Sequence, residues 1–297
     1  MARDRLYAYS LISPALLVVL AIVVYPVFFL LQLSLSEVSF VQGRMATTLS
    51  GFGHYSDLTS DGAFLNSAYR TGIFTVSSVF LSLIAGLSVA LAVNEVRKGV
   101  TLVRLAVLLP WLLPPVVSGL IWRWMFHDQF GLVNWILMNV GLLQNRQPWL
   151  ADVATAMPSV IWVDVWIHIP FVAIILLAGL QTIPNELYEA VRVDGGSSLR
   201  SFWHVTLPLL RPYLLLVLLI RAIFALRVFD IVVMLAGSKF GSVAGAPAGT
   251  TQVFGLLIWQ RAIEHLQFAE SAAIAVIVLV LTFIVSFFSI KMLPSKT

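Results

Sequence analysis

No cysteine occurs among the 297 residues, and only 11% of them carry a charge. The first absence removes disulfide frameworks, thiolate metal sites and cysteine nucleophiles. The second sets the chain apart from ordinary soluble domains, in which about a quarter of residues are charged. No G-x-x-x-x-G-K-[ST], G-x-S-x-G or H-E-x-x-H motif is present, and the five histidines (His54, His127, His168, His204, His265) are dispersed. The chain therefore carries neither a nucleotide-hydrolysing loop nor a familiar hydrolase constellation. What fills the sequence instead is apolar: 60% of residues are hydrophobic and the mean hydropathy is +0.95. A soluble chain of this length has too little polar surface to cover so much apolar surface. The composition excludes soluble enzymes, disordered chains and disulfide-stapled domains, and points to an all-α integral membrane protein.

A bilayer core about 30 Å thick needs roughly 20 apolar residues per helix. Arg5 to Glu37 encloses 31 uncharged residues, Arg70 to Glu95 encloses 24, and Arg104 to Arg123 encloses 18. Asp164 to Glu186 encloses 21 and Glu270 to Lys291 encloses 20. A further apolar stretch, Pro212 to Leu235, is interrupted by Arg221, Arg227 and Asp230. Backbone groups in lipid must be satisfied within their own segment, so each stretch is read as helical. Six transmembrane helices follow, at about 8–33, 69–93, 105–126, 154–180, 212–236 and 268–290, in one membrane domain over 1–297. The first run is longer than the roughly 7–15 residues of a signal h-region and is read as a retained helix.

Orientation follows from the Lys/Arg bias of the short loops. With the N-terminus in the cytoplasm, the inner side holds Arg3, Arg5, Arg97, Lys98, Arg104, Arg192, Arg200, Arg211, Lys291 and Lys296. The outer loops hold Arg44, Arg146, Lys239 and Arg261, with Arg70 and Arg123 near span ends. This asymmetry places both termini in the cytoplasm. The net charge of +4 then records topology, and nucleic acid is not expected as a partner. Outer loop one, about Ser34 to Asn66, reads as polar with glycine turn signals. Outer loop two, about His127 to Asp152, suits a short helix at the membrane surface with Trp135 and Trp149 at headgroup level. Outer loop three, Gly237 to Thr251, reads as a Gly/Ala-rich hairpin-like connection.

The inner loop at 181–211 differs from the rest. Pro184-Asn185-Glu186 is a helix-start signal. Leu187, Ala190 and Val191 share one face of a short helix over 186–193. Asp194-Gly195-Gly196 stops that helix, and Ser197 or Ser198 can cap a second short helix ending before Pro208 and Pro212. Two short helices at a sharp angle make a knob, and exposed Leu187, Tyr188, Phe202 and Trp203 on it call for a protein partner.

Glu189-Ala190-Val191-Arg192-Val193-Asp194-Gly195, continuing to Phe202, Leu207-Pro208 and Pro212, resembles the EAA loop of permease subunits in bacterial ATP-binding-cassette (ABC) importers. The family pattern runs about E-A-A-x-x-D-G-A, then F, then L-P and P; this chain departs at Val191 and Gly196, where the family usually has Ala. Ser13-Pro14-Ala15 with Tyr25-Pro26, Leu33-Ser34-Leu35-Ser36, Phe52-Gly53-His54-Tyr55 with Phe64-Leu65-Asn66-Ser67, and Arg227-Val228-Phe229-Asp230 with Val233-Met234-Leu235 are similar to the carbohydrate-type (maltose, trehalose, glycerol-phosphate) branch. The resemblance implies a type I importer permease fold in a bacterial or archaeal cytoplasmic membrane. It also implies a second permease subunit as a heterodimer partner, two ATPase subunits that bind ATP-Mg, and an extracytoplasmic solute-binding protein. No cofactor is implied for this chain itself. Leu187, Tyr188, Glu189, Ala190, Asp194, Gly195, Phe202 and Pro208 become the expected ATPase-coupling residues. For Glu189, helix capping and direct contact with the ATPase both require the carboxylate.

Asp164, His168, Arg221, Arg227 and Asp230 fall within predicted spans. Each should face the bundle interior or a wet cavity, since exposure to lipid costs about 2.5–3.5 kcal/mol even on insertion scales. Asp164 and His168 are spaced to pair at i, i+4, and Arg227 and Asp230 at i, i+3. With Trp166 and Phe224 these residues form a candidate substrate path, because aromatic faces and polar groups together suit a sugar. The same pairs can instead hold helices together. Arg221 and Arg227 also allow an anionic cargo such as glycerol phosphate. A secondary transporter or channel is a distant alternative, and neither explains the knob.

Overall fold

The computed structural model describes residues 2–41, 44–96, 98–236 and 247–292. In chain order the elements are α1 (Ala2–Val19), a π-helical turn (Leu20–Val24), α2 (Tyr25–Ser34), β1 (Ser36–Val41), β2 (Arg44–Leu49), α3 (Gly53–Ser60) and α4 (Gly62–Asn94). There follow α5 (Val100–Leu112), α6 (Pro115–Met125), α7 (Leu132–Asn139), α8 (Ala156–Leu180), α9 (Asn185–Val193) and α10 (Ser198–Ser201). A second π turn (Phe202–Thr206) leads into α11 (Leu207–Leu226), then α12 (Asp230–Ala236), α13 (Phe254–Trp259), a third π turn (Gln260–Glu264) and α14 (Phe268–Met292). Five segments are long and apolar enough to cross a membrane: Leu11–Ser34, Gly62–Asn94, Ala156–Leu180, Ser198–Leu226 and Phe268–Met292. A sixth crossing is available if the bent pair α5–α6 forms one span.

Two expected spans change shape. The third, read as one helix over 105–126, is two helices meeting at 89°. Leu113 and Pro114 are extended there, with ψ of 133° and 138°, because the residue before a proline is pushed out of the helical region and Leu113 and Pro114 both precede one. The fifth span ends at Leu226 rather than 236, and α12 is a separate short helix. At its inner end the same helix begins earlier than expected: Ser198 to Leu226 is continuous, so no second short helix stops before Pro208.

Two prolines are absorbed by π turns. Pro26 and Pro208 each sit two residues beyond a π turn. A proline ring collides with the carbonyl four residues earlier, here Ile22 and His204, the central residues of the two turns. In each turn a five-residue hydrogen bond replaces the α ladder, from the Tyr25 N–H to the Leu20 carbonyl and from the Leu207 N–H to the Phe202 carbonyl. The wider ring gives the proline room without ending the helix.

The chain forms two compact units, residues 1–65 with 257–280, and residues 66–256 with 281–297. In the first, β1 and β2 form an antiparallel hairpin from Ser36 opposite Leu49 to Val41 opposite Arg44. The all-α expectation is corrected at this one place. Val38, Thr47 and Thr48 favour strands, and backbone groups in a loop between spans still need partners. Tyr55 donates to the Ser34 hydroxyl at 2.8 Å, and His54 Nε2 lies 3.1 Å from the Ser36 carbonyl. Arg261 bridges the carboxylates of Asp61 and Glu270. The first apolar segment, by contrast, buries almost nothing against its own chain, with Leu11 79% and Ile22 69% exposed.

The second unit has a core of Ala90, Val93, Val172, Ala173, Leu176, Leu177, Leu180, Ile183, Leu210 and Val217. Small residues let its helices approach closely. On α4 the buried stripe Ser78, Ser82, Gly86, Ala90 recurs every four residues, and a Cβ on Gly86 would lie 2.4 Å from Val172 Cγ1 of α8. A Cβ on Gly179 of α8 would lie 2.7 Å from the Tyr213 ring of α11. The short helix expected in outer loop two is α7. Residues 237–246 of outer loop three lie outside the described residues.

Asp61 supplies a pH test of the first unit. Burial works to raise its carboxyl, but the Ala63 N–H and the Arg261 guanidinium outweigh it and hold the group below its usual range. A depressed carboxyl stabilises the fold above its unfolded value, and that stability is lost as pH falls through the folded value. Thermal unfolding in detergent should therefore show the native chain losing about 0.5–1 kcal/mol more than Asp61→Asn between pH 6 and pH 3. Parallel loss in both proteins would contradict the assignment.

Candidate functional site

The 181–211 loop turns where Pro184 holds an extended conformation, φ −61° and ψ 135°, ahead of α9. Helix α9 ends in a left-handed Gly195, φ +73°, with the Gly196 N–H donating to the Val191 carbonyl at 2.8 Å and the Asp194 N–H to Ala190 at 3.0 Å. This six-to-one closure requires the residue between to adopt positive φ, which glycine does without cost. Ser197, rather than Ser198, caps the next helix: its hydroxyl accepts from the Arg200 N–H at 3.4 Å.

Val191 and Gly196, the two departures from the EAA pattern, touch each other. A Cβ on Gly196 would lie 2.4 Å from Val191 Cγ1 and 2.8 Å from the Val191 carbonyl. The larger residue at 191 occupies the space that an alanine at 196 would need. The Val191 carbonyl would crowd that alanine as well, whatever side chain stood at 191.

Tyr188 was expected on the exposed face and is corrected. It is half-buried, packs against the core of the second unit, and its hydroxyl lies 3.0 Å from Thr206 Oγ1. Phe202 is also half-buried, edge-on to Trp203 at 5.5 Å. The exposed apolar side chains are Leu187 at 41%, Val193 at 88%, Leu199 at 67% and Trp203 at 57%. Glu189, Ala190, Asp194, Gly195 and Pro208 are exposed. Glu189 is the fifth residue of α9, past the first turn that a capping carboxylate serves, and among the described residues it has no partner.

Deep between α4, α8 and α11 lies a network that spacing along the chain did not reveal. Arg221 is fully buried and Asp164 is 2% exposed. Arg221 Nη2 donates to Asp164 Oδ2 at 2.6 Å and to Ser78 Oγ at 2.6 Å, and Nε donates to Ser82 Oγ at 3.2 Å. Ser78 donates in turn to Asp164. His168 Nδ1 lies 2.8 Å from the Asp164 carbonyl and 3.3 Å from Oδ1, as the i, i+4 spacing predicts. Ser78 and Ser82 are the polar neighbours that the charge count passes over; their four-residue spacing in an apolar helix is the available signal.

The other path candidates separate. Phe224 is 48% exposed, with its ring 6.0 Å from His168 and 6.3 Å from Phe171, which stacks on Trp111 at 5.9 Å. Trp166 instead meets Trp122 edge-on at 5.5 Å. Arg227 and Asp230 flank the break between α11 and α12, are both exposed, and make no ion pair with each other, which corrects the expected i, i+3 pairing. The break is the reason: Arg227 closes α11 with φ −105° and ψ 14°, so the two residues do not share a helix face.

A family model described as "Binding-protein-dependent transport system inner membrane component" matches residues 63–296. The trehalose/maltose transport system permease protein MalF of Thermococcus litoralis is 39% identical over 86% of this chain and 83% of its own. The sulfoquinovosyl glycerol transport system permease protein SmoG of Agrobacterium fabrum is 34% identical over 99% of this chain and 92% of its own. Among solved structures, a chain of a bacterial alginate ABC transporter, in complex with an alginate pentasaccharide-bound periplasmic protein, superposes with a TM-score of 0.80. It is 23% identical and covers 98% of this chain and 94% of its own.

Cutting the buried pair on one side should be costly. Arg221→Met leaves the buried Asp164 charged without its guanidinium, a loss of about 3–5 kcal/mol, whereas replacing both partners by apolar residues of similar size is close to neutral. Thermal unfolding should place Arg221→Met well below the native chain and the double variant Arg221→Met/Asp164→Leu near it. Equal destabilisation of both would contradict a compensated pair.

Proposed function

We propose that this chain, which belongs to the family of binding-protein-dependent transport system inner membrane components, forms half of the translocation path of an ATP-driven importer for a sugar or oligosaccharide. It is a multi-pass membrane protein with no nucleotide-binding motif of its own. Both termini face the cytoplasm, and a second permease subunit completes the path. Two ATPase subunits bind ATP-Mg beneath it, and an extracytoplasmic protein delivers the solute. The names of the MalF and SmoG relatives and of the alginate transporter support the cargo class.

One observation carries the coupling role. The knob of α9 is bonded through Tyr188 and Thr206 to a helix that runs unbroken from Ser198 to Leu226. At 1.5 Å per residue that helix is about 43 Å long. A push on the exposed Leu187, Val193, Leu199 and Trp203 from an ATPase below is delivered directly to Arg221 and Phe224. Glu189 and Asp194 offer exposed carboxylates to a basic ATPase residue.

In the path itself, Asp164 and Arg221 pair through Nη2 and act in packing, while Arg221 Nη1 is buried without a hydrogen-bond partner. His168, Phe224, Arg227 and Asp230 are the side chains left to meet cargo. Arg227, exposed and free of Asp230, favours a second reading in which the cargo is anionic. Trp166 belongs with the aromatic packing around Trp122.

Gly195→Asp tests the coupling role. The left-handed backbone there strains any side chain, and the added carboxylate lies on the contact face. In the complex reconstituted with its ATPase, ATP-coupled uptake should fall more than tenfold while membrane insertion is unchanged. Undiminished uptake would refute the coupling assignment.

A further inference from the structure

Helix α7 is inside out. Its polar Asn134 is buried at 3% exposure, while Leu132, Trp135, Ile136 and Met138 are 40%, 64%, 44% and 39% exposed. Asn134 is fully bonded: Nδ2 donates to the carbonyls of Asp128 and Gln147, each at 3.0 Å, and Oδ1 accepts from the Gln147 N–H at 3.2 Å and Trp149 Nε1 at 2.9 Å. Four bonds exhaust an amide side chain. The loop is thus stapled from within, and the apolar face is turned outward by construction.

Two hollows flank this helix. One, of about 470 Å³, lies against Ile136 and Leu137 and is walled by Trp122, Phe126, Trp149 and Trp162. Its only hydroxyls are those of Thr155 and Ser159, and Thr155 already donates to the Trp149 carbonyl at 2.8 Å. A sugar needs several convergent polar partners; a hydrocarbon chain needs none. The second hollow, of about 460 Å³, lies against Trp135 and Asn139 and is lined by Trp124, Phe130, Gln129 and Arg146. Arg146 is the one cation there, is exposed, and has no ion-pair partner among the described residues.

We infer that the 122–162 lobe is a phospholipid site: an acyl chain fills the aromatic hollow on one flank of α7, and the headgroup phosphate is held by Arg146 on the other. Arginine matches phosphate oxygens with two parallel donors, and exposed tryptophans sit at headgroup depth. A helix is about 10 Å across, so a single lipid can straddle α7. The leaflet, and only the leaflet, rests on the orientation proposed above.

Native mass spectrometry of the assembled complex, titrated with phosphatidylglycerol in detergent, tests this without reference to transport. The native complex should retain one lipid per copy of this chain, with binding at least tenfold weaker in Arg146→Gln and lost in Leu137→Trp, which fills the hollow. Brominated-acyl phosphatidylglycerol provides a reading on folded native protein: it should quench tryptophan fluorescence, and Trp149→Phe/Trp162→Phe should lose most of that quenching. Equal retention in all three proteins would overturn the site, as would cross-linking of Trp135→Cys to the second permease subunit in place of lipid. Failed transport with lipid retained would count against the importer reading and leave this one standing.

Discussion

A guanidinium with no access to water, inside a segment that lipid surrounds, has to be neutralised where it stands. Arg221 meets that demand with Asp164 and two serine hydroxyls, and much of the second unit follows from it. Ser78 and Ser82 must lie four apart on α4 to reach the same group. Helices α4 and α8 must then approach closely, which the absence of a Cβ on Gly86 permits. Helix α11 must stay straight enough to hold Arg221 at that depth while Tyr213 packs on Gly179. The network joins one face each of α4, α8 and α11, three otherwise apolar helices.

The 181–211 loop is tied to the same helix. Because the π turn at Phe202–Thr206 accommodates Pro208, the helix carrying Arg221 does not stop at Pro208. It continues to Ser198, and Tyr188 locks α9 onto it. Under the proposed coupling, motion imposed at the knob travels along this one helix to the buried pair.

Much of this was legible in the sequence, for identifiable reasons. Long uncharged runs marked the apolar helices, since charge is expensive in lipid. Asp194-Gly195-Gly196 marked the end of α9, since few residues tolerate the left-handed turn. The pairing of Asp164 with Arg221, 57 residues apart, was not legible, because spacing rules report neighbours along one helix only. Counting charges also read 105–126 as one span, although Leu113-Pro114-Pro115 carries the break in plain view. Tyr188 was misplaced because a short amphipathic pattern states which residues share a face, not which face turns inward. The continuity through Pro208 was hidden because a π turn has no residue signature of its own.

The central claim is that knob and path are two ends of one stiff helix. The absence of native cysteine makes this directly measurable, with spin labels at Leu199→Cys and Leu218→Cys in the assembled complex. These sites are about 28 Å apart at 1.5 Å per residue. The account predicts the same distance, within about 2 Å of helical rise, in the nucleotide-free and ATP-bound states. A change larger than one helical turn, about 5.4 Å, would mean that the helix bends at the π turn and would contradict it.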